Sequence, residues 1–386
     1  MDKKEIEKNN NALLELMLKA SKRTFWNDTI ALTEKSLGCI DEGTWAEIDY
    51  VIIVGQGTSL ATAYNAESYL SHIAGLQARA LPAFEFRSYP LDYIIVPSKT
   101  LVIGCSCSGN TFSVVQSLKV ARQLGCKTLC LSGEGPIDAA TVSEYRIITD
   151  CAIEKRGETS HPYSVSHLFL LLGAYKLSIQ IGKAKRFLKD TEVEYWNRQL
   201  EKALNKLSFL PKLSEQMAQV AKAARERGAV NQIVLGSGPN RGTMVEGALK
   251  ICEFTWKLGA GEELEDFAHG RFRELDQITP LMIICPSGPC VEKTMDILAG
   301  ATIAGSQTIV LTDKPTVAME KLAKRIIRMP ALENEYLTSF IYVFAFWFYG
   351  YHYMAGSGEL VGGARYGLLA KDINFHAHFD ADGNNL

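Results

Sequence analysis

Four stretches of the chain are apolar without alternation: VIIVGQGTS at 51–59, TLVIGCSCSG at 100–109, IVLGSG at 233–238 and PLMIICPSGP at 280–289. Runs that are apolar on both sides of the backbone predict strands whose two faces are both covered, as in a parallel sheet flanked by helices. Helical spacing follows three of them, over Leu60 to Leu70, Phe112 to Leu124 and Thr243 to Leu258. Residues 3–46 carry apolar positions at helical spacing and are expected to pack outside the first sheet. The stretch 186–230 is charged and rich in Leu and Ala, and it predicts helices that link two halves.

The pattern occurs twice. Gly55 and Gly57 correspond to Gly236 and Gly238 at an offset of 181, and TLVIGCSCSG corresponds to PLMIICPSGP at an offset of 180. GCKTLCLS, beginning at Gly125, matches GSQTIVLT, beginning at Gly305, at that same spacing. A regular offset is the signature of a duplicated unit. Each copy reads strand, glycine turn, helix, strand, turn, helix, strand. The fold class expected is α/β, with two tandem doubly wound parallel-sheet sandwiches and extra helices. The boundaries are 1–46 for the N-terminal helices, 47–190 for the first unit, 191–230 for a helical connector and 231–386 for the second unit.

The length of 386 residues suits two units, and 47% hydrophobic with 22% charged residues is a globular composition. A formal charge of −2 excludes the basic field that nucleic acid requires. The N-terminus, MDKKEIEKNNNALLELM, has no signal-peptide run, so a cytoplasmic location is expected. Leu337 to Ala355 is nearly long enough to span a bilayer, but it carries Gly350, His352 and several tyrosines and reads as a buried core helix. The nine cysteines have no metal-finger spacing and read as packed thiols, with Cys285 and Cys290 a less favoured redox pair.

Ligands of such sheets bind beyond the strand carboxyl ends, where helix N-termini offer free amides. Ser106-Cys107-Ser108-Gly109-Asn110-Thr111 supplies hydroxyls and unhindered N–H groups there. Taken alone, the turn reads equally as a phosphate cradle or as ordinary helix capping. Its counterpart, Pro286 to Cys290, has prolines in place of donors, so a single cradle in the first half is expected. Gly55-Gln-Gly57-Thr58-Ser59 forms a second turn. Neither a full dinucleotide fingerprint nor a phosphate-loop lysine is present, and no cofactor or metal is expected. In the second half, Glu246, Lys250, Glu253 and Lys257 share one predicted helix face. That spacing alone reads as a solvated ion-pair ladder.

Gly-Thr-Ser after the first strand, Ser-x-Ser-Gly-Asn-Thr after the next, and the duplication resemble the sugar isomerase (SIS) domain family. The layout is similar to the isomerase half of glucosamine-6-phosphate synthase and to fructosamine-6-phosphate deglycases. The resemblance implies a phosphorylated sugar or amino sugar as ligand, held by Gly57, Thr58, Ser59, Ser106, Cys107, Ser108, Gly109, Thr111 and Ser160. It implies Glu253 as the base that moves a proton between C1 and C2, His269 as the ring-opening group, Lys371 as a terminal active-site lysine and Lys250 as an auxiliary. It further implies a homodimer or dimer of dimers, with the histidine contributed by the neighbouring subunit. Arg271 and Arg273 stand where the synthase pattern has Pro-x-x-x-Leu, and an anionic part of the substrate would suit them. Isomerase, deaminase and deglycase chemistry share these residues; a catalytically silent sugar-phosphate sensor is the alternative.

Overall fold

The computed structural model describes residues 2–150, 164–363 and 365. Before the first sheet come helices α1 (Lys3–Lys19), α2 (Asn27–Gly38) and α3 (Glu42–Ala46). The first half is β1 (Tyr50–Gly55), α4 (Thr58–His72), β2 (Gln77–Pro82), α5 (Ala83–Ser88), β3 (Thr100–Ser106), α6 (Phe112–Gln123), β4 (Lys127–Gly133), α7 (Asp138–Val142), β5 (Tyr145–Asp150) and α8 (Val165–Ala184). Two helices follow, α9 (Asp190–Lys206) and α10 (Leu210–Glu226). The second half is β6 (Asn231–Leu235), α11 (Arg241–Thr255), β7 (Leu258–Glu262), α12 (Leu264–Ala268), β8 (Pro280–Ile284), α13 (Cys290–Ile303), β9 (Gln307–Thr312), α14 (Val317–Leu322), β10 (Arg325–Arg328) and α15 (Ser339–Ala355).

Each half builds a five-stranded sheet with every pair parallel, in the orders β2-β1-β3-β4-β5 and β7-β6-β8-β9-β10. These are the same topology, with the strand order reversing between β1 and β3 and between β6 and β8. The central strands are buried on both faces, which is why their sequences do not alternate. Val51, Ile53, Leu101 and Ile103 point to the face covered by α4 and α8, and Ile52, Val54 and Val102 to the face covered by α5, α6 and α7. In the second sheet Val234, Met282 and Ile284 face α10, α11 and α15, while Ile233, Leu235 and Ile283 face α12, α13 and α14.

The inner helices α4, α8, α11 and α15 therefore lie between the two sheets, and the central core is built there. The pairing of α4 with α11 sits on the duplication. A methyl on Gly242 would come within 2.2 Å of the Ala61 carbonyl oxygen, so the two backbones touch. Ala61 and Gly242 are also equivalent residues at the offset of 181. Such self-matched contact is what a two-fold relation between copies produces.

Several expectations need correction. α1 does not stay with the first sheet: Leu13, Leu16 and Met17 join the central core, and the Asn10 amide bonds the Glu359 carbonyl at 2.9 Å. The helix expected over Thr243 to Leu258 stops at Thr255, where Trp256 takes a left-handed conformation at φ +56°, and Leu258 already belongs to β7. Lys257 is thereby off the helix face assigned to it. The stretch between Glu253 and His269 holds edge strand β7 followed by α12. α15 is buried, as its sequence predicts. Among the described residues, only Val165–Ala184 has the length and apolarity of a membrane span, and 89% of that window is buried inside the protein.

Candidate active site

Two turns flank the order reversal of the first sheet. Because β1 and β3 are paired neighbours, with Val54 opposite Gly104, their carboxyl ends lie about 5 Å apart. The turn after β1 starts α4 at Gly57, whose φ of +54° favours glycine. Thr58 and Ser59 form the first residues of that helix. The turn after β3 is organised by its own hydroxyls. Ser106 Oγ accepts from the Gly109 amide at 3.0 Å and lies 3.0 Å from Thr111 Oγ1. Gly109 has φ +70°, and a Cβ there would run into Ile137. Thr111 occupies the N-cap of α6, yet its side chain does not cap the helix. Ser108 Oγ accepts a long contact from the Asn110 amide at 3.4 Å. Cys107 is partly buried, and its carbonyl accepts from the Gly133 amide at 3.2 Å.

The third component comes from the other half. Lys250 on α11 is fully buried, and its Nζ donates to Thr58 Oγ1 at 2.6 Å. The same ammonium lies 3.1 Å from Glu246 Oε1 and 2.8 Å from Glu253 Oε2. The ladder that spacing suggested would be solvated is thus an internal ion triad, with Glu246 and Lys250 at 0% exposure and Glu253 at 34%. Glu246 Oε1 also accepts from the Trp347 indole at 3.2 Å. Burial works against the Lys250 ammonium, but the two carboxylates outweigh it and hold its pKa above the ordinary lysine value. Burial pushes the Glu253 carboxyl above the usual glutamate range, with Lys250 pulling the other way.

Behind the triad, His167 on α8 lies fully buried with Nδ1 2.8 Å from Thr62 Oγ1. Burial, aided by the Lys250 charge, depresses its pKa to about 3, so the ring is neutral near pH 7. Neither His167 nor Trp347 was singled out by sequence; both sit in apolar helices that gave no local sign of a polar partner.

His269 does not join this group within one chain. Its helix, α12, packs Leu264 and Phe267 on the outer face of the second sheet, whereas α11 packs Ile251 and Phe254 on the inner face. The His269 side chain is 73% exposed, with Nε2 2.9 Å from Glu265. Arg271 is engaged by Glu262 and Glu274, and Arg273 lies over the Phe272 ring, its Cζ 5.0 Å from the centroid. Cys285 and Cys290 are buried with pKa values pushed up to about 11 and about 12, which opposes thiolate chemistry. Ser160 and Lys371 lie outside the described residues.

The sequence profile of the SIS domain matches residues 46–172, which takes in the first sheet and both turns of the crevice. Residues 46–172 thus resemble a SIS domain. The chain is 26% identical over 312 residues to the glutamine–fructose-6-phosphate aminotransferase [isomerizing] of Thermococcus kodakarensis, covering 80% of this chain and 49% of that protein. It thus spans about half the length of the curated relatives it matches. The C-terminal domain of glucosamine-fructose-6-phosphate aminotransferase from Francisella tularensis has the same fold, at TM-score 0.76 and 19% identity over 90% of this chain and 97% of that one. A putative tagatose-6-phosphate ketose/aldose isomerase from Clostridium novyi aligns at TM-score 0.71 and 18% identity, over 92% and 91%. Both likenesses extend through the second sheet, which repeats the SIS domain's strand order.

Proposed function

We propose that the chain is an enzyme acting at C1 and C2 of a hexose or amino-hexose 6-phosphate through an enediol or enolamine. The observation that carries this reading is the Thr58–Lys250–Glu253 relay, which brings a partly exposed carboxylate of raised pKa to the edge of a hydroxyl-lined crevice. The resemblance to aminotransferases and isomerases named for sugar 6-phosphates supports it.

In this reading the Ser106–Thr111 turn, with the Gly57–Ser59 turn beside it, holds the phosphate through hydroxyls, amides and the α6 N-terminus. The carbonyl end of the open-chain sugar then lies at Glu253. Lys250 engages Oε2, and among the described residues nothing bonds Oε1. Oε1 takes the proton from C2, leaving an enediolate, and returns it to C1 while the O2 hydroxyl proton passes to O1 and the carbonyl forms at C2. A base with its pKa raised toward neutrality both accepts and releases that proton more evenly than an ordinary carboxylate.

Ring opening is assigned to His269 of a second copy, because its own chain directs it away from Glu253. Lys371 and Ser160 complete the proposed site, as the resemblance implies. Mixing Glu253→Gln and His269→Asn chains should restore about a quarter of wild-type activity in a two-fold dimer with shared sites; no recovery after verified exchange rejects the sharing.

The reaction is tested by NMR of products formed in heavy water from hexose, hexosamine and fructosyl-amine 6-phosphates. Deuterium at C1 or C2 of one of them supports the reading. Saturable binding of sugar phosphates with neither turnover nor exchange would make the protein a sensor.

A further inference from the structure

The duplication places a counterpart of the candidate active site on the other side of the α4–α11 contact. The first site combines the C-terminal end of α11, carrying Lys250 and Glu253, with the turn Gly57-Thr58 that starts α4. At the offset of 181 these residues correspond to Tyr69, His72, Gly238 and Pro239. A cavity of about 400 Å³ lies where the repeat requires one, lined by Glu67, Ser68, Ser71, His72, Pro239 and Tyr336, among others.

Its chemistry has diverged. Glu246, Lys250 and Glu253 are replaced by Asn65, Tyr69 and His72, so the ion triad has no counterpart. Tyr69 is buried and bonded to Ser339 Oγ at 2.7 Å. The His72 ring stacks on Tyr336 at 4.1 Å and 11°. Where α11 presents Leu249 and Cys252, α4 presents Ser68 and Ser71, whose hydroxyls make no hydrogen bond among the described residues. Glu67 has one oxygen engaged by the Ala80 amide at 2.7 Å. The phosphate corner is closed from inside: Asp313 accepts from the Ser287 amide and from its hydroxyl, each at 2.7 Å, and the Glu335 carboxylate borders Gly288. The nearby cation Arg241 lies over the Tyr64 ring, 4.1 Å from its centroid.

We propose that this second cleft is a binding site for a small polyhydroxylated ligand that carries no phosphate, of the size of a hexose or hexosamine. Two free hydroxyls, a carboxylate and an imidazole offer both donors and acceptors to such a ligand, while Asp313 and Glu335 repel a phosphate. With no counterpart of the proton-carrying carboxylate, the cleft binds without turnover.

The test uses the full chain with the His72 imidazole proton resonances as reporter. Glucose and glucosamine are titrated in the presence of saturating inorganic phosphate, and glucose 6-phosphate and glucosamine 6-phosphate are titrated in parallel. The expected result is a saturable shift at His72 with at least one unphosphorylated sugar and at least a tenfold weaker response to its 6-phosphate. Ser71→Trp, a change at an exposed position that fills the cleft, should abolish the shift while the melting temperature is retained. A Ser71→Ala variant, which removes one hydroxyl without adding bulk, should weaken binding severalfold and guards against misfolding of the bulky variant. The proposal is overturned if no unphosphorylated sugar moves His72, if the 6-phosphates move it equally, or if Ser71→Trp leaves the shift intact. Absence of turnover in the heavy-water assay would leave this result unaffected, so the two readings fail separately.

Discussion

Helices α4 and α11 occupy equivalent positions, touch at equivalent residues and bury very different chemistry. On α11 a lysine and a glutamate are wholly enclosed and a second glutamate is held at the crevice edge. On α4 the matching positions are Asn65, Tyr69 and His72, all neutral near pH 7. The turns diverge in the opposite direction. The first half keeps a hydroxyl-lined turn at Ser106–Thr111, while the second fills its turn with the Asp313 carboxylate. Each half has kept one part of a site, and the proposed active site uses the cradle of the first with the carboxylates of the second. In the proposed function this leaves one reactive crevice per chain.

The comparison is broken most severely at Glu253. Glu253→Gln should lower turnover roughly 10²- to 10⁴-fold, the range of a lost general base. Binding of a sugar 6-phosphate, read by calorimetry, should stay within a fewfold of wild type. Exchange of deuterium at the wild-type rate would remove Glu253 from the chemistry.

Lys250→Met is expected to cost about 3–5 kcal/mol of stability, because Glu246 would be left charged and enclosed without its partner. Adding Glu246→Gln should recover part of that loss in urea titrations, since the pair and not either charge alone is what the interior accommodates. A loss below about 1 kcal/mol for the single variant would mean that water reaches the triad.

Ser108→Ala with Thr111→Ala sharpens the contrast between the two turns. Each hydroxyl bonded to a dianion contributes about 1.5–3 kcal/mol. The double variant should therefore lose affinity for phosphorylated ligands and change little toward the unphosphorylated sugar. Unchanged protection by inorganic phosphate in thermal melts would place the cradle elsewhere.

The smallest effect expected is on pH dependence. His167 titrates near 6.5 when unfolded and at about 3 in the fold. A depressed folded pKa contributes stability that is complete above pH 6.5 and is lost as the pH falls toward 3. Between pH 6.5 and 5 that loss is about 2 kcal/mol at 1.36 kcal/mol per unit. His352, depressed to about 4, adds a slope of the same sign. His167→Gln should remove the first contribution and leave the second, visible as a shallower dependence of unfolding free energy on pH.

The residues themselves account for which features were legible in the sequence. β1, β3, β6 and β8 are buried on both faces and carry uninterrupted apolar runs, so composition reveals them, while β4 (KTLCLSG) and β9 (QTIVLT) show through the repeat. β2 (QARALP), β5 (YRIITD), β7 (LGAGE) and β10 (RIIR) lie at sheet edges, where charged and small residues are tolerated. Nothing local marks them as strands. The glycine turns and the positions of Lys250 and Glu253 were legible for a similar reason, because turn chemistry and helical spacing are written in neighbouring residues. Their burial was not. Thr58 and Lys250 are 192 positions apart, and only the packing of one half on the other turns an exposed-looking ladder into an enclosed triad. Sequence spacing likewise placed His269 sixteen residues beyond Glu253 without revealing that a sheet separates them.

The seam between α4 and α11 also has a consequence for how the chain is made. A ribosome adds about 5–20 residues per second, so Thr58 waits on the order of 10–40 s before Lys250 is synthesised. During that interval the inner side of α4 and α8, with Asn65, His167 and the apolar residues of α8, has no second half to cover it. The nascent first half is complete in its strands and unfinished on its largest surface. That surface stays open to water until α11 and α15 arrive and close it.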